Sequence, residues 1–580
     1  MLQETKNCQN CKNDFIIEPE DFLFYEKIKV PPPTFCPECR MVRRLCWRNE
    51  MNLFKKDCNI PGHNEKLISL YPPESEIKIY DNQYWWGDEW DSMSFGVDYD
   101  FSKSFFEQWN EFRNNVPFQA LSNSSAVNSD YCNIAHESKD SYMCSGSWGI
   151  ENSFYLNRVR KIKDCIDCYI INNSELCFDS VAISDSYHLL YSIQSKNCVD
   201  SYFLYDCVNC TDCLGCTNLR SKSYCMWNEQ LSAEEYKKRI SEIDLDSYKN
   251  VQALKEKFLS LYLQSLHRAN FKVNTLNSSG DNLIDVKNSQ YCFDCTDILE
   301  NSKYVHWGGF NSKDCYDGGP GVFLSENNYE FFDAGGVSLY FCSVVYYSSE
   351  VQYSFNCYNS NNLFACIGLR NKKYCILNKQ YTKEEYEELV PKIIKHMNDM
   401  PYIDSKGRVY KYGEFFPSEL SPFAYNQTQA QDYFPSTKEK AQELGYKWKE
   451  LNKLDYIPTM KSQDLKDKLS DVDDSILKEV IQCLNFDKNN LYCRGSFKIT
   501  SGEFNLYKRL KVPLPRLCFF CRHEERLAKR NPMKLWHRSC MCDKDKHGHV
   551  GKCTEEFETS YAPDRPEIVY CEGCYNKEVY

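Results

Sequence analysis

Two stretches in the middle of the chain repeat a short pattern, in which polar residues precede a tyrosine, cysteine or phenylalanine. The recurring positions lie 10 to 13 residues apart in the first stretch and 11 to 14 apart in the second. Short strands at this spacing, with Asn, Ser, Asp and Gly between them, predict an all-β stack. The recurring positions are Tyr131, Tyr142, Tyr155, Cys165, Cys177, Tyr187 and Cys198, and then Tyr291, Tyr304, Cys315, Tyr329, Tyr340, Tyr353 and Phe364.

We interpret each stretch as a parallel β-solenoid. Two strands per turn would give rungs of roughly 22 to 24 residues, with tyrosines and cysteines stacked in ladders inside. A β-sandwich is the alternative that short strands of this kind leave open. The predicted fold class is therefore mainly β with short helices, in which a duplicated solenoid-like region is flanked by smaller modules.

Each stretch ends in a copy of the same segment. It reads LRSKSYCMWNEQLSAEEY at positions 219–236 and LRNKKYCILNKQYTKEEY at positions 369–386, which is an offset of 150 residues. Ser232 with Glu235, and Thr382 with Glu385, have the spacing of a capping box. Such a box at the start of an amphipathic run predicts that a helix follows each stretch.

The two ends of the chain are also copies of one another. With a constant offset of 482 residues, thirteen residues between Cys11 and Cys58 recur between Cys493 and Cys540. Chance does not produce so many unshifted identities, so the two ends are duplicated modules. The matching residues of the N-terminal copy are Cys11, Phe15, Tyr25, Pro31, Pro33, Cys36, Cys39, Arg40, Arg44, Arg48, Asn49, Leu53 and Cys58.

The N-terminal copy carries two Cys-x2-Cys pairs, Cys8 with Cys11 and Cys36 with Cys39. Four thiolates at this spacing suit tetrahedral Zn²⁺, and a site closed by four cysteines is structural because no coordination position stays open. A knuckle, a hairpin-like excursion, a second knuckle and then a helix is the order of a treble clef. We predict the helix in RMVRRLCWRNE, the segment that follows the second pair.

The C-terminal copy departs from this pattern at its first cysteine. Asn490 occupies the expected position, and the nearest upstream cysteine is Cys483. A second zinc site is therefore expected from Cys483, Cys493, Cys518 and Cys521, with Cys483 as its least regular ligand.

The tail of the C-terminal copy predicts a third zinc site, which brings the expected total to about three Zn²⁺ ions. Its ligands would be Cys553, Cys571, Cys574 and one of Cys540 and Cys542. His547 and His549 could replace a thiolate there, although the favoured interpretation makes them solvated loop residues. In the N-terminal copy, Asp81 and Tyr84 stand where Cys571 and Cys574 would be, so we expect Tyr84, Trp85 and Trp86 to fill that space.

Cysteines inside the first stretch also have zinc-like spacing. They are Cys165, Cys168, Cys207, Cys210, Cys213 and Cys216. Since they alternate with inward-facing positions of the repeat, packing inside the stack is favoured, and a metal site is the alternative.

The segments CQNCKNDF…PPPTFCPECRMVRR and PLPRLCFFCRHEERLAKRNP resemble the zinc-ribbon (treble-clef) domain of many uncharacterised bacterial proteins. Long multi-repeat versions, known mainly from uncultured bacteria, are similar to this chain over most of its length. The resemblance implies zinc at the positions named above and implies no reaction.

These patterns divide the chain of 580 residues into seven expected segments. They are an N-terminal treble-clef zinc module (1–62), an aromatic-rich connector or cap (63–125), a first solenoid (126–230), a helical connector (231–275), a second solenoid (276–380), a helical and aromatic connector (381–475) and a C-terminal double zinc module (476–580). The 33 cysteines occur without a signal-like apolar segment or a run of 18 apolar residues. We therefore expect a cytoplasmic protein with reduced thiols and no membrane partner.

Charge is distributed unevenly along the chain. The formal net charge is −12, yet residues 36–56 carry six Lys/Arg against two Glu, and residues 506–539 carry ten against two. Regularly spaced guanidinium groups on helices suit contact with phosphates, which predicts binding to RNA or the ribosome. The alternative is that these arginines pair with the acidic remainder of the chain. The arginines concerned are Arg40, Arg44, Arg48, Arg522, Arg526 and Arg530.

No phosphate-binding loop, dinucleotide fingerprint or nucleophile elbow is present in the sequence. The expected function is therefore a zinc-stabilised, non-enzymatic binding or scaffold protein. One alternative is a protein-interaction scaffold that uses the solenoid faces. Another is a carbohydrate-active solenoid enzyme with paired carboxylates, although the sequence singles out no such pair.

Overall fold

The computed structural model describes residues 2–450, 456–486, 488 and 491–580. It is mainly β, and these ranges contain twelve short α-helices. The chain forms two compact units, each made of separate segments. Unit 1 contains residues up to 121, 270–449 and 533–535, and unit 2 contains 122–269, the described part of 450–532, and 536–580.

Unit 1 combines the N-terminal cysteine-rich module with the second repeat stretch. Its helices are Pro19–Lys27, Pro37–Leu45, Asn82–Trp86, Phe105–Asn115, Lys383–Asp399, Gln429–Tyr433 and Lys438–Glu443. Its strands are Glu4–Asn7, Asp14–Ile17, Phe54–Asp57, Lys66–Ser69, Ile79–Tyr80, Phe118–Gln119, Lys272–Val273, Gly280–Ile284, Val286–Lys287, Cys292–Thr296, Leu299–Glu300, His306–Gly309, Ser312–Lys313, Tyr316–Gly318, Tyr329–Tyr340, Ser343–Gln352, Phe355–Tyr358, Asn361–Phe364, Lys373–Ile376, Lys379–Gln380, Tyr402–Ile403 and Val409–Tyr410.

Unit 2 combines the C-terminal cysteine-rich module with the first repeat stretch. Its helices are Ala233–Ser241, Tyr248–Gln264, Ser501–Leu510, Phe519–Ala528 and Glu572–Val579. Its strands are Asn123–Val127, Asn133–Lys139, Ser145–Glu151, Arg160–Lys163, Tyr169–Glu175, Val181–Ser184, Tyr187–Leu190, Val199–Tyr205, Thr211–Thr217, Ser223–Met226, Glu229–Gln230, Leu266–Arg268, Met460–Lys461, Ile481–Gln482, Ser496–Phe497, Trp536–Ser539, Glu556–Thr559 and Ile568–Tyr570.

The first stack, residues 123–230, pairs each strand in parallel with the segment 12 residues later. Ser145 pairs with Asn157, Asn157 with Tyr169, and Tyr169 with Val181. The parallel pairing contradicts the β-sandwich alternative, whose sheets are antiparallel. The predicted rung of roughly 22 to 24 residues is also wrong, because the register repeats after 12 residues and not after two strands' worth of chain.

A left-handed backbone at every third residue makes this short repeat possible. Asp164 and Asp167 both have positive φ, and the residues that follow them, Cys165 and Cys168, are buried. Asparagine and aspartate adopt this conformation more readily than most residues, because their short side chains bond locally. The polar residues between the strands are therefore part of the repeat itself.

The inside of the first stack contains cysteines, serines and aliphatic residues but not the predicted tyrosine ladder. Cys165, Cys177 and Cys198 are fully buried in its core cluster, whereas Tyr131 is 42% exposed and Tyr187 is 43% exposed. Three-residue sides bring neighbouring parts of a turn close together, which suits a thiol better than a phenol ring. The prediction of inward cysteines is confirmed, and that of inward tyrosines is wrong.

The cysteines with zinc-like spacing in the first stack also face inward. Cys207, Cys210, Cys213 and Cys216 are fully buried and belong to the same core cluster. Their thiols contact backbone carbonyl groups, as Cys207 Sγ does with the oxygen of Tyr205 at 3.5 Å. They belong to none of the groups with metal-ligand geometry among the described residues, so the packing interpretation is the better one.

The second stack, residues 272–380, has a less regular register. Phe293 pairs with His306 at a spacing of 13 residues, and Ser343 pairs with Phe355 at 12. Cysteines again lie in the interior. The buried tyrosines lie in a different cluster, outside the stack interior, where aromatic residues of the same unit cover them.

Both stacks end in the same way, as their shared sequence predicts. Each closes with a short antiparallel hairpin, and a helix begins directly after it. Thr382 and Glu385 form the complete capping box. Ser232 accepts a hydrogen bond from the amide of Glu235, but the Glu235 carboxylate binds Arg239 Nε at 2.7 Å and not the cap backbone.

Between its two cysteine pairs, the N-terminal module contains a helix and not the predicted hairpin excursion. The antiparallel strands Glu4–Asn7 and Asp14–Ile17 surround the first pair, and helix Pro19–Lys27 follows. The helix after the second pair begins at Pro37, as predicted, but it ends at Leu45. Arg40 and Arg44 therefore lie on one helical face, while Arg48 follows the end of the helix.

No helix in the described part of the chain combines the length and the apolar character needed to cross a membrane.

Candidate metal centres and the arginine contacts beside them

The first candidate centre consists of Cys8, Cys11, Cys36 and Cys39. Their four sulfur atoms lie within 4.8 Å of one another. The amide of Cys36 donates a hydrogen bond to Cys8 Sγ at 3.2 Å, and Asn10 Nδ2 donates one to Cys39 Sγ at 3.3 Å. Hydrogen bonds to the sulfurs stabilise the thiolate form that binds a metal.

The second candidate centre brings together Cys483, Cys493, Cys518 and Cys521, all of them buried. The amide of Cys518 donates to Cys483 Sγ at 3.2 Å, which repeats the contact between Cys36 and Cys8 in the first centre. Cys483 therefore occupies the position of Cys8. Its distance in sequence is longer because seven additional residues separate the first two cysteines in this copy.

The third candidate centre contains Cys540, Cys553, Cys571 and Cys574. Cys540 is thus the fourth member of this group, which the sequence left open between Cys540 and Cys542. The amide of Cys571 donates to Cys540 Sγ at 3.2 Å. Cys542 lies in a neighbouring group with His547, His549 and Cys574.

His547 is not a solvated loop residue, so that part of the sequence interpretation is wrong. Its side chain is buried, and its Nδ1 lies 3.0 Å from Cys542 Sγ. His549 is half-buried, and its Nε2 lies 3.4 Å from Cys574 Sγ. The loop folds back onto the C-terminal helix, which a local reading of loop composition cannot show.

All three cysteine centres share one local design. The first cysteine of the second pair, namely Cys36, Cys518 or Cys571, has an extended backbone and precedes the first residue of a helix. The unpaired amides and the positive end of the helix dipole then lie beside the thiolates and favour their negative charge.

The donor set fits zinc. Each group offers four soft thiolates at tetrahedral separation and has no water-accessible fifth donor among its members, which suits a closed structural site. Binding of a dication requires deprotonated thiols, so the affinity of each group for metal depends on pH. Several buried four-cysteine groups are thus compatible with about three zinc ions.

In the N-terminal module an apolar cluster replaces the third centre. Asp81 caps its short helix by accepting from the Tyr84 amide at 3.0 Å, and Cys571 makes the equivalent contact with the Cys574 amide at 3.4 Å. Trp85 is fully buried against Cys58. Trp85 therefore fills the space as expected, whereas Trp86 is partly exposed.

The arginines of unit 1 lie in buried ion pairs. Arg40 Nη2 lies 2.9 Å from Asp317, and Arg44 Nη1 lies 3.3 Å from the other oxygen of the same carboxylate. Burial alone would lower the pKa of Arg40, but Asp317 outweighs it and raises that pKa well above the ordinary value. Arg43 binds Glu330 and Glu414, both at 2.7 Å.

Unit 2 repeats this contact. Asp167 receives Arg522 Nε and Arg526 Nη1, both at 2.9 Å. Arg522 and Arg526 are the counterparts of Arg40 and Arg44 at the offset of 482 residues. Asp167 and Asp317 are related by the offset of 150 residues that relates the two repeat stretches.

This burial removes the premise of an exposed arginine face. The guanidinium groups of Arg40, Arg44, Arg48, Arg522 and Arg526 are buried in the structure. Arg530 is half-buried. Nucleic-acid binding through these six residues stays a prediction without a direct test, while the alternative, pairing with the acidic stacks, describes the contacts that are present.

The sequence interpretation missed the carboxylates that receive the arginines. Asp167 and Asp317 lie in regions where the repeat was read by its tyrosines and cysteines. Their relation was visible in principle, since both lie at the offset of the longer identical segments further along. Extending that alignment backwards would have paired the two aspartates.

Burial also shifts two further groups next to the arginine pair of unit 2. Burial raises the pKa of Glu503 to about 7, although Arg522 opposes the shift, and the Tyr155 hydroxyl donates a hydrogen bond to its carboxylate. Burial, with help from the charge of Arg526, lowers the pKa of His523 well below its ordinary value. His523 is therefore neutral in the folded protein at physiological pH.

Comparisons with known proteins identify no family. No protein-family model matches the chain, and no curated protein does. Among the twelve matching chains of solved structures is one named "putative acetyltransferase" from Desulfovibrio desulfuricans G20. It is 12% identical, with 47% of this chain and 86% of that chain covered, and a TM-score of 0.10. A likeness at this level carries no inference about fold or activity.

Proposed function

We propose that this protein is a zinc-stabilised, non-enzymatic scaffold that binds another protein. The observation that carries the proposal is the repeated contact between each cysteine module and a stack. In both units a helix that starts at a cysteine centre places two arginines on one buried aspartate. Metal binding would thus fix the helix, and the helix would hold the stack.

The outer face of the first stack supports a protein partner. Lys139, Glu151, Lys163 and Glu175 follow one another at 12-residue spacing, and Lys139 Nζ lies 3.5 Å from a Glu151 oxygen. A row of alternating charges offers no continuous positive surface of the kind that a nucleic-acid backbone requires. Mixed charge with exposed aromatic side chains is typical of protein interfaces.

Two aromatic residues lie on the same stack and are open to solvent. Trp148 is 42% exposed and Tyr187 is 43% exposed. Large, rigid side chains of this type supply most of the energy at many protein interfaces. We therefore assign the partner surface to the face that carries them.

The first test measures metal content and nucleic-acid binding together. Native mass spectrometry of the full chain should find at least three zinc ions, and removal of zinc with a chelator should lower the midpoint of thermal unfolding. Fluorescence anisotropy with labelled RNA at several salt concentrations should show no salt-dependent binding. Tight binding that falls steeply with salt would instead restore the nucleic-acid hypothesis.

The second test concerns the partner surface. The double variant Trp148→Ala/Tyr187→Ala should lose proteins that the wild-type chain captures in cross-linking experiments. Tyr347→Ala is the matched control, because Tyr347 is 63% exposed on the other stack. Equal capture by both variants and the wild type would contradict the assignment of this face.

A further inference from the structure

Seven potential ligands surround the third centre, more than one tetrahedral ion can use. Beside the group of four cysteines lies a second group whose ligand atoms are also within 4.8 Å of one another. The second group contains Cys542, His547, His549 and Cys574. Cys574 is a member of both groups.

We infer that a second metal ion binds to Cys542, His547, His549 and Cys574, so that the Cys574 thiolate bridges two ions. Two thiolates and two imidazoles form a common tetrahedral zinc set. The inference rests on the proposed zinc loading of the group formed by Cys540, Cys553, Cys571 and Cys574. It adds a fourth ion to the three of the proposed function.

The orientation of His547 is the first observation that supports this site. Its Nδ1 faces Cys542 Sγ at 3.0 Å, while its Nε2 lies 2.8 Å from Glu578 Oε1. Metal-binding histidines usually donate their other ring N–H to a carboxylate or a carbonyl group, which fixes the tautomer and leaves the ligand nitrogen unprotonated. Glu578 is in turn held by Lys544 Nζ at 2.6 Å.

His549 shows the same arrangement with a backbone partner. Its Nδ1 lies 2.8 Å from the carbonyl oxygen of Gly551, and its Nε2 faces Cys574 Sγ at 3.4 Å. Both rings therefore have one nitrogen engaged with an oxygen and the other turned toward a thiol. A simple contact between a thiol and a histidine does not require this in two rings at once.

The C-terminal helix joins the site and its supporting groups. Cys574 and Glu578 are four residues apart on helix Glu572–Val579, so they lie on the same helical face. The side chain of Lys577 donates to the carbonyl oxygen of His547 and holds the loop against the helix. The loop and the helix thus position every ligand of the second ion.

Charge also favours a second dication. A metal bound by four thiolates keeps a negative formal charge, and a bridging thiolate can share that charge with a neighbour. The second ion would bring one additional thiolate and two neutral imidazoles, so the cluster as a whole becomes less negative.

Native mass spectrometry of the zinc-loaded full chain tests the number of ions. The wild type should carry four zinc ions, and the double variant His547→Ala/His549→Ala should carry three. His537→Ala is the matched control, because His537 is exposed and contacts only Glu556 and Glu558 among the contacts described above for this module. It should keep four ions.

The outcomes separate this inference from the proposed function. Three ions in the wild type and in both variants would overturn the second ion and leave the three cysteine centres standing. Fewer than three in the wild type would overturn the proposed function, and the inference with it. Four ions in the double variant would show that the fourth ion binds elsewhere, which also overturns the site.

Cadmium substitution tests the bridge and does not depend on the folding of a variant. In the wild-type chain loaded with ¹¹³Cd, two resonances should show scalar coupling through the shared sulfur of Cys574. Four resonances without coupling would overturn the bridge. Glu578→Gln should weaken one of the four ions by about 10- to 100-fold in competition with a chelator, because it removes the carboxylate partner of His547.

Discussion

Single aspartates receive two arginines in each unit. Asp167 accepts from Arg522 and Arg526, and Asp317 from Arg40 and Arg44, all of them buried. Both aspartates have positive φ, a conformation that asparagine adopts equally well. Replacing aspartate by asparagine therefore changes the charge and not the backbone.

Asp167→Asn should destabilise unit 2 by about 3–5 kcal/mol, since two buried arginines lose their counter-charge. Chemical denaturation of the zinc-loaded protein measures the loss. Asp185→Asn is the control, because Asp185 also has positive φ but is partly exposed and lies 3.8 Å from Lys196. The control should change the free energy of unfolding by less than about 1 kcal/mol, and equal losses would contradict the role of the ion pair.

Glu503 makes stability depend on pH. Its pKa is about 7 in the folded protein against 4.5 ordinarily, so the folded state binds the proton more tightly than the unfolded state. This contribution is fully present below pH 4.5 and is lost as the pH rises through 7. Relative to Glu503→Gln, the wild type should lose roughly 2 kcal/mol of stability between about pH 5.5 and pH 8.

Denaturation of both proteins at the two pH values, with zinc content checked at each, measures this difference. Zinc ligands titrate equally in the wild type and the variant, so their effect cancels in the comparison. Parallel pH profiles would show that Glu503 stays ionised in the folded protein.

At the scale of elements, the two kinds of cysteine differ in what protects them. Stack cysteines are enclosed by neighbouring turns, whereas the cysteines of the three centres would be protected by metal. In native zinc-loaded protein we expect neither kind to react with iodoacetamide. After chelation the centre cysteines should react while the stack cysteines stay protected.

Peptide mapping by mass spectrometry distinguishes the two sets. Cys36 and Cys518 report on the centres, and Cys213 and Cys357 report on the stacks. Reaction of Cys213 as soon as zinc is removed would mean that the metal and the stack interior are not separate.

The sequence predicted the strands, the capped helices and most members of the centres, because these depend on local spacing. It did not predict the 12-residue register, because left-handed positions such as Asp164 and Asn173 look like ordinary turn residues. It also placed tyrosines inside the stack, since a repeated aromatic residue suggests a core and gives no sign of which side it faces. The closure of the His547 loop depends on Glu578, thirty-one residues later, and no local pattern contains that contact.

At the scale of the whole molecule, each unit has one cysteine-rich module and one stack. The N-terminal module lies in unit 1 with the second stack, and the C-terminal module lies in unit 2 with the first stack. The duplicated sequences revealed both kinds of part. They did not reveal this pairing, because it rests on contacts between residues such as Arg40 and Asp317, far apart in the chain.

Damage to one centre should therefore affect one unit. Cys36→Ala should increase hydrogen exchange around Asp317, and Cys518→Ala should increase it around Asp167, since each centre holds its own arginine helix. Hydrogen-exchange mass spectrometry measures both regions in each variant. Equal increases in both regions for either variant would contradict this division.

The crossed pairing of modules and stacks has a consequence for synthesis on the ribosome. The N-terminal module emerges first, but its stack and the segment 402–449 that packs beside it follow several hundred residues later. The first stack emerges early and obtains its arginine helix only near the end of translation. Nascent chains therefore spend most of their synthesis with buried-type aspartates and arginines unpaired, and a chain that stops near residue 449 leaves the first stack without its module.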